Sequence, residues 1–333
     1  MYRHFLVPLD GSHLAEAVLA GTLELARRCG ARLTLLHILE QSAPATIHGD
    51  RHLRHIPEAE AYLAGLAARL DFPRDRLTLE VHPHPEADVA LSIFRHAAEL
   101  SADLVVLSTH GLIGLREWLF GSVAQKVLRR GAPPVFMLQP TARGTAPEFR
   151  PARTLVYLDG TTAGEAGLTA VEPLAQQCGM ELHLVMCIPT RSALTGGRAA
   201  TGTLLPTTMA AILDMAERDA TDQLRTHLER LQASGVTATA QVVRGDPLSQ
   251  LVEVALHLPA DILCLTTRGE SGLEALGTEE VAPKILTRFN GAFFLVHHQS
   301  ELPAHPRPDP AQRARDNAPK QEDAPPARAV LPS

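Results

Sequence analysis

The sequence predicts an α/β protein of two tandem, doubly wound, Rossmann-like domains, each with a five-stranded parallel sheet. Three observations carry this. Short runs such as residues 2–9 and 33–39 are largely apolar without clean alternation, the pattern of strands covered on both faces. They alternate with segments of helical spacing, which calls for right-handed crossover units with helices on both sides of the sheet. The whole order then recurs. Leu6 through Asp10-Gly11-Ser12 matches Leu155 through Asp159-Gly160-Thr161, the stretch 25–33 around Cys29-Gly30 matches 174–182 around Cys178-Gly179, and 102–111 matches 260–269. A repeat of this length is a domain rather than a solenoid module, and 333 residues accommodate two.

Each element has its own local reason. The first strand ends at Asp10-Gly11-Ser12, which caps a helix expected to run through about Arg28, with Leu14, Val18, Leu25 and Ala26 at helical spacing and Cys29-Gly30 as the stop. A buried strand follows at 33–39, then a helix at 58–70, a strand at 77–81, a helix at 87–100, a strand at 104–108, a helix at 122–130 and a strand at 135–138. The first domain is therefore 1–140. Gly144, Pro147 and Pro151 mark 141–152 as a linker. The second domain is 153–298, with a Gly/Thr/Ala-rich excursion at 190–208 expected to be a mobile loop. Residues 299–333 are rich in Pro, Arg, Asp and Ala without apolar period, so a disordered tail is expected.

Composition narrows the function. The net charge of −6 is interspersed, with no basic stripe to follow nucleic-acid phosphates. No apolar run approaches the roughly 20 residues of a membrane span, and Met1 leads directly into a strand without a signal-like segment, so a cytoplasmic, non-membrane protein is expected. The four cysteines, at 29, 178, 187 and 264, form no Cys-x-x-Cys pair, and packing is their expected role.

The chemistry-bearing stretch is Ser108-Thr109-His110-Gly111, followed nine residues later by Gly121-Ser122. Ligands in such sheets bind beyond the carboxyl ends of the strands where strand order reverses, and the segments ending at Asp10, Ile38 and Ser108 should converge there. Gly111 allows a sharp exit from its strand. Gly121-Ser122 opens a helix whose free N–H groups and positive dipole end suit a phosphate, although Ser122 alone is equally readable as a cap.

These residues resemble the universal stress protein family: Pro8-Leu9-Asp10-Gly11-Ser12, Leu36-His37-Ile38, and Ser108 to Gly111 followed by Gly121-Ser122-Val123. The resemblance covers both copies. It implies ATP as the ligand, alone or with Mg. Adenine would lie near Asp10, with Pro8, Leu9 and Ser12 shaping that end, and by backbone groups at Ile38. The ribose would lie at Ser108 with His110 and Gly111, and the phosphates on Gly121, Ser122, Val123 and Ala124. Ser108 stands where the family pattern has a glycine. In relatives the last strand pairs two domains, so 135–138 and 293–296 could join within one chain or in a homodimer.

The second copy differs at the loop. Aligned without a gap, Glu279 and Glu280 fall on Gly121 and Ser122; a shortened loop would keep Gly277-Thr278 instead. Two carboxylates favour a helix start but oppose a triphosphate. One nucleotide site, in the first domain, is expected. His48, His52 and His55 are spaced to share a helical face and with Asp50 could bind metal, but a solvated loop or helix over the cleft is the simpler reading. His82-Pro83-His84-Pro85 reads as a strand-end loop. No nucleophile or general base is identifiable, so at most slow ATP hydrolysis is expected. The reading is a nucleotide-dependent regulator with an unknown protein partner; the alternative is a nucleotide-independent interaction module of the same fold.

Overall fold

A computed structural model describes residues 1–108, 122–131, 133–140, 149–188, 206–268, 289 and 291–298. The expected tail, the glycine-loop residues 109–121, the second-copy loop 269–288 and most of the expected linker and excursion lie outside these residues. The first half contains β1 (His4–Pro8), α1 (His13–Glu16), α2 (Leu19–Cys29), β2 (Arg32–Glu40), a hairpin of β3 (Thr46–Ile47) and β4 (Asp50–Arg51), α3 (Ile56–Arg69), β5 (Leu77–Glu86), α4 (Val89–Glu99), β6 (Leu104–Ser108), α5 (Ser122–Arg129) and β7 (Val135–Leu138). The second contains β8 (Arg153–Leu158), α6 (Thr162–Cys178), β9 (Glu181–Ile188), α7 (Pro206–Ala233), β10 (Ala238–Arg244), α8 (Pro247–His257), β11 (Ile262–Arg268) and β12 (Ala292–His298).

All ten principal strands join one sheet in the order β10-β9-β8-β11-β12-β7-β6-β1-β2-β5. Each half has its first strand between its second and fourth, so strand order reverses between β1 and β6 and again between β8 and β11. Neighbours are parallel except at the seam, where β12 runs antiparallel to β7 with Phe294 opposite Phe136. The pairing of last strands is therefore within the chain. Alternate strand residues feed opposite layers. Phe5, Val7, Leu33, Leu35 and Phe136 face α2, α3 and α6, whereas Leu6, Leu36, Val105 and Met137 face α4 and α5. A repeated aspartate locks the reversal: Asp103 accepts from the Arg3 and His4 N–H groups, and Asp261 from those of Ala152 and Arg153.

Three local expectations need correction. The helix after Ser12 tightens at Ala17, whose N–H bonds Leu14 rather than residue 13, and splits into α1 and α2. His82-Pro83-His84-Pro85 belongs to β5, an edge strand where missing proline N–H groups cost no ladder bond on the open side. There His82 has partners, Glu86 Oε1 at 3.0 Å and His96 Nε2 at 3.0 Å. The histidine-rich segment forms the β3–β4 hairpin rather than one helical face, turning at His48 and Gly49 with φ of 51° and 89°.

Candidate functional site

The carboxyl ends of β1, β2 and β6 enclose a cavity of about 350 Å³ at the first reversal of strand order. Pro8, Leu9 and Asp10 line it from β1, Ile38 from β2, Ser108 from β6, and Val123 and Ala124 from the first turn of α5. Leu36, Ile93 and Leu107 supply an apolar wall. Ser12 is fully buried behind Asp10. Its hydroxyl donates to Asp10 Oδ1 at 2.6 Å and accepts from the Ala15 N–H at 3.1 Å, so one side chain caps α1 and fixes the carboxylate. The Ser12 N–H donates to the same oxygen at 2.9 Å, and Gly11 makes the turn with φ of 90°. Ser122 opens α5; His110, Gly111 and Gly121 lie outside the described residues.

Beside this wall, His37 is fully buried and its Nδ1–H donates to the Leu9 carbonyl at 2.7 Å, tying β2 to the end of β1. Burial lowers its pKa and keeps the imidazole neutral. The hairpin contributes Ile47 and His48 to the cavity, followed by His52. His48 Nε2 lies 3.7 Å from Asp10 Oδ2. Asp50 clasps the hairpin to α1, accepting from the His13 N–H and from His13 Nδ1–H, both at 2.9 Å. The hydrogen bond to Asp50 raises the His13 pKa, and bonds from His13 lower that of Asp50. His52 is buried rather than solvated, and no three metal-binding side chains converge among the described residues.

Sequence reasoning missed Glu40, Asp88 and Lys126 on the cavity wall. Lys126 carried a signal, since it follows Ser122 by four residues and shares its helical face. Asp88 caps α4 through the Leu91 N–H and pairs with Arg130 of the segment after α5, which orients α5 against α4. The described walls offer an apolar slot, the carboxylates of Asp10, Glu40 and Asp88, and the first turn of α5 with Lys126 beyond it.

The profile of the Universal stress protein family matches residues 1–139 and again residues 152–297. The chain belongs to the universal stress protein family. Universal stress protein YxiE of Bacillus subtilis is 25% identical over 148 residues, 42% of this chain and 100% of that protein. A universal stress protein of Thermus aquaticus is 29% identical over 143 residues, again 42% of this chain and 100% of that protein. The crystal structure of a universal stress protein from Archaeoglobus fulgidus superimposes with a TM-score of 0.64 at 19% identity, covering 88% of this chain and 98% of that one. This last likeness extends the shared fold over both halves.

The second universal stress protein unit repeats the capped aspartate. Thr161 donates to Asp159 Oδ1 from its N–H at 3.0 Å and its hydroxyl at 2.7 Å, and accepts from the Gly164 N–H at 3.1 Å. Beyond the cap the two units diverge. Gly164 replaces the cavity-lining Ala15, and a Cβ there would fall 2.2 Å from Asp159 Oδ1. The Thr266 hydroxyl, at the position of cavity-lining Ser108, donates to the Gly164 carbonyl at 3.2 Å, and the Cys264 thiol to the Gly167 carbonyl at 3.5 Å. Glycines thus let α6 seat directly on β11, against the strand end that lines the cavity in the first unit.

Proposed function

We propose that the first universal stress protein unit binds ATP in the cavity between β1 and β6 and that the second unit does not. The observation that carries this reading is the convergence of Asp10, Ile38, Ser108 and the first turn of α5 on one cavity of about 350 Å³. The adenine ring lies on the apolar wall near Asp10 and the Ile38 backbone, with Pro8 and Leu9 beneath it and Ser12 holding Asp10. Ser108 takes the ribose, with His110 and Gly111. The phosphates follow Gly121, Ser122, Val123 and Ala124, where free N–H groups and the helix dipole favour anions, and Lys126 adds a positive charge one turn on. ATP enters alone or with Mg carried on its phosphates.

In the second unit, the bond from Thr266 to Gly164 and the close seat of α6 support a narrower cleft. Glu279 and Glu280, which align in sequence with Gly121 and Ser122, add repulsion toward a triphosphate. The protein then acts through nucleotide-dependent conformation or partner choice, with at most slow hydrolysis. Denaturing purified protein and assaying for released adenine nucleotide tests this, together with the thermal shift induced by added ATP. Bound nucleotide or an ATP-dependent shift supports the reading. Absence of both favours the nucleotide-independent interaction module.

A further inference from the structure

We infer that Cys29 and Cys178 form a peroxide-sensitive dithiol site, at which two-electron oxidation closes a disulfide between the two halves of the chain. The two residues are equivalents in the repeat. Each ends a helix, α2 or α6, and each precedes a glycine in the left-handed conformation, with φ of 65° at Gly30 and 66° at Gly179. The antiparallel seam brings these ends face to face, and their sulfurs lie 3.6 Å apart. A disulfide needs about 2.05 Å, so closure asks for roughly 1.5 Å of travel.

The flanking backbone is held for that approach. Gln177 bridges the halves, accepting from the Tyr2 N–H at 2.7 Å while its amide donates to the carbonyls of Tyr2 at 3.1 Å and Cys29 at 3.4 Å. Arg28 also donates to the carbonyls of Pro151 at 3.0 Å and Cys178 at 3.4 Å. The other two thiols are satisfied differently: Cys187 bonds the Gly245 carbonyl and Cys264 the Gly167 carbonyl, both at 3.5 Å, as packing cysteines do. Cys29 is half-buried and Cys178 is 8% exposed, so Cys29 is the more open side of the pair.

Contact with Cys29 and the nearby Arg28 charge lower the Cys178 pKa and favour its thiolate, while contact with Cys178 and burial raise that of Cys29. The Cys178 thiolate attacks one oxygen of hydrogen peroxide. The O–O bond breaks, hydroxide leaves and takes a proton from solvent, and Cys178 becomes a sulfenic acid. The Cys29 sulfur then attacks Cys178 Sγ, the S–O bond breaks, and the departing hydroxide leaves as water with the Cys29 proton. Two thiols and one peroxide yield one disulfide and two waters.

The test uses the whole chain without added nucleotide, treated with hydrogen peroxide and then denatured for thiol titration and mass analysis. The expected result is a loss of two of the four thiols, a mass lower by two hydrogens, and a Cys29–Cys178 linked peptide that dithiothreitol cleaves. Cys29→Ser should leave Cys178 as a sulfenic acid that dimedone captures, and Cys187→Ser should retain the link. Persistence of both thiols after the peroxide is consumed, linkage between chains, or oxidation confined to Cys187 and Cys264 would overturn the inference.

Discussion

Val123→Glu separates the two consequences of putting a carboxylate at the start of α5. Val123 is half-buried on the cavity wall, so the longer side chain has solvent to reach and the fold tolerates it. Near a helix N-terminus the charge contributes about 0.3–1 kcal/mol of stability, and the melting temperature should hold or rise. Against a phosphate the sign reverses. One like-charge contact costs about 4 kcal/mol at about 4 Å and about 2.8 kcal/mol at about 6 Å for an effective dielectric near 20. At about 1.4 kcal/mol per decade, ATP affinity should fall roughly 100- to 1000-fold by calorimetric titration. Val123→Gln adds the same bulk without charge and should stay within about tenfold of the parent chain. Equal weakening by Gln and Glu would assign the effect to sterics. No weakening by Glu would remove the phosphates from α5 and refute the reasoning.

Other outcomes follow from the same contacts. Phe294 is fully buried at the seam opposite Phe136, so Phe294→Ala should cost about 3–5 kcal/mol, read as a lower urea midpoint with an unchanged slope. Ser12→Ala and Thr161→Ala each remove a helix cap worth about 0.5–2 kcal/mol, but only Ser12→Ala should also weaken ATP binding, because only its aspartate lines the described cavity. The His13–Asp50 clasp has a pH window fixed by its two shifts. His13 is raised, so its contribution is complete below the pKa it has in the unfolded chain and is lost as pH rises through the folded value. Asp50 is lowered, so its contribution is present above its unfolded value and is lost as pH falls through the folded one. An NMR titration should therefore show an upshifted His13 midpoint that Asp50→Asn abolishes.

The buried strands were legible because burial on both faces leaves a continuous apolar run: β6 and β7 begin and end where their sequence runs do. Convergence of Asp10, Ile38 and Ser108 followed from strand order alone. What escaped depended on partners far along the chain. His82-Pro83-His84-Pro85 has turn-like composition, and only its place at the sheet edge makes it a strand. Histidine spacing cannot distinguish a helix face from a hairpin, although Gly49 was a usable signal for the turn. Cys29 and Cys178 read as packing residues because their proximity arises only when the seam forms between β7 and β12. The tighter seat of α6 was written in Gly164 and Gly167, but their meaning needs the neighbouring β11 hydroxyl and thiol.

Counting nucleotides per chain tests the central claim most directly. Calorimetric titration of the nucleotide-free protein with ATP should give one site, abolished by Gly121→Glu and unaffected by Asp159→Asn. Two equivalent sites, or none, would contradict the account.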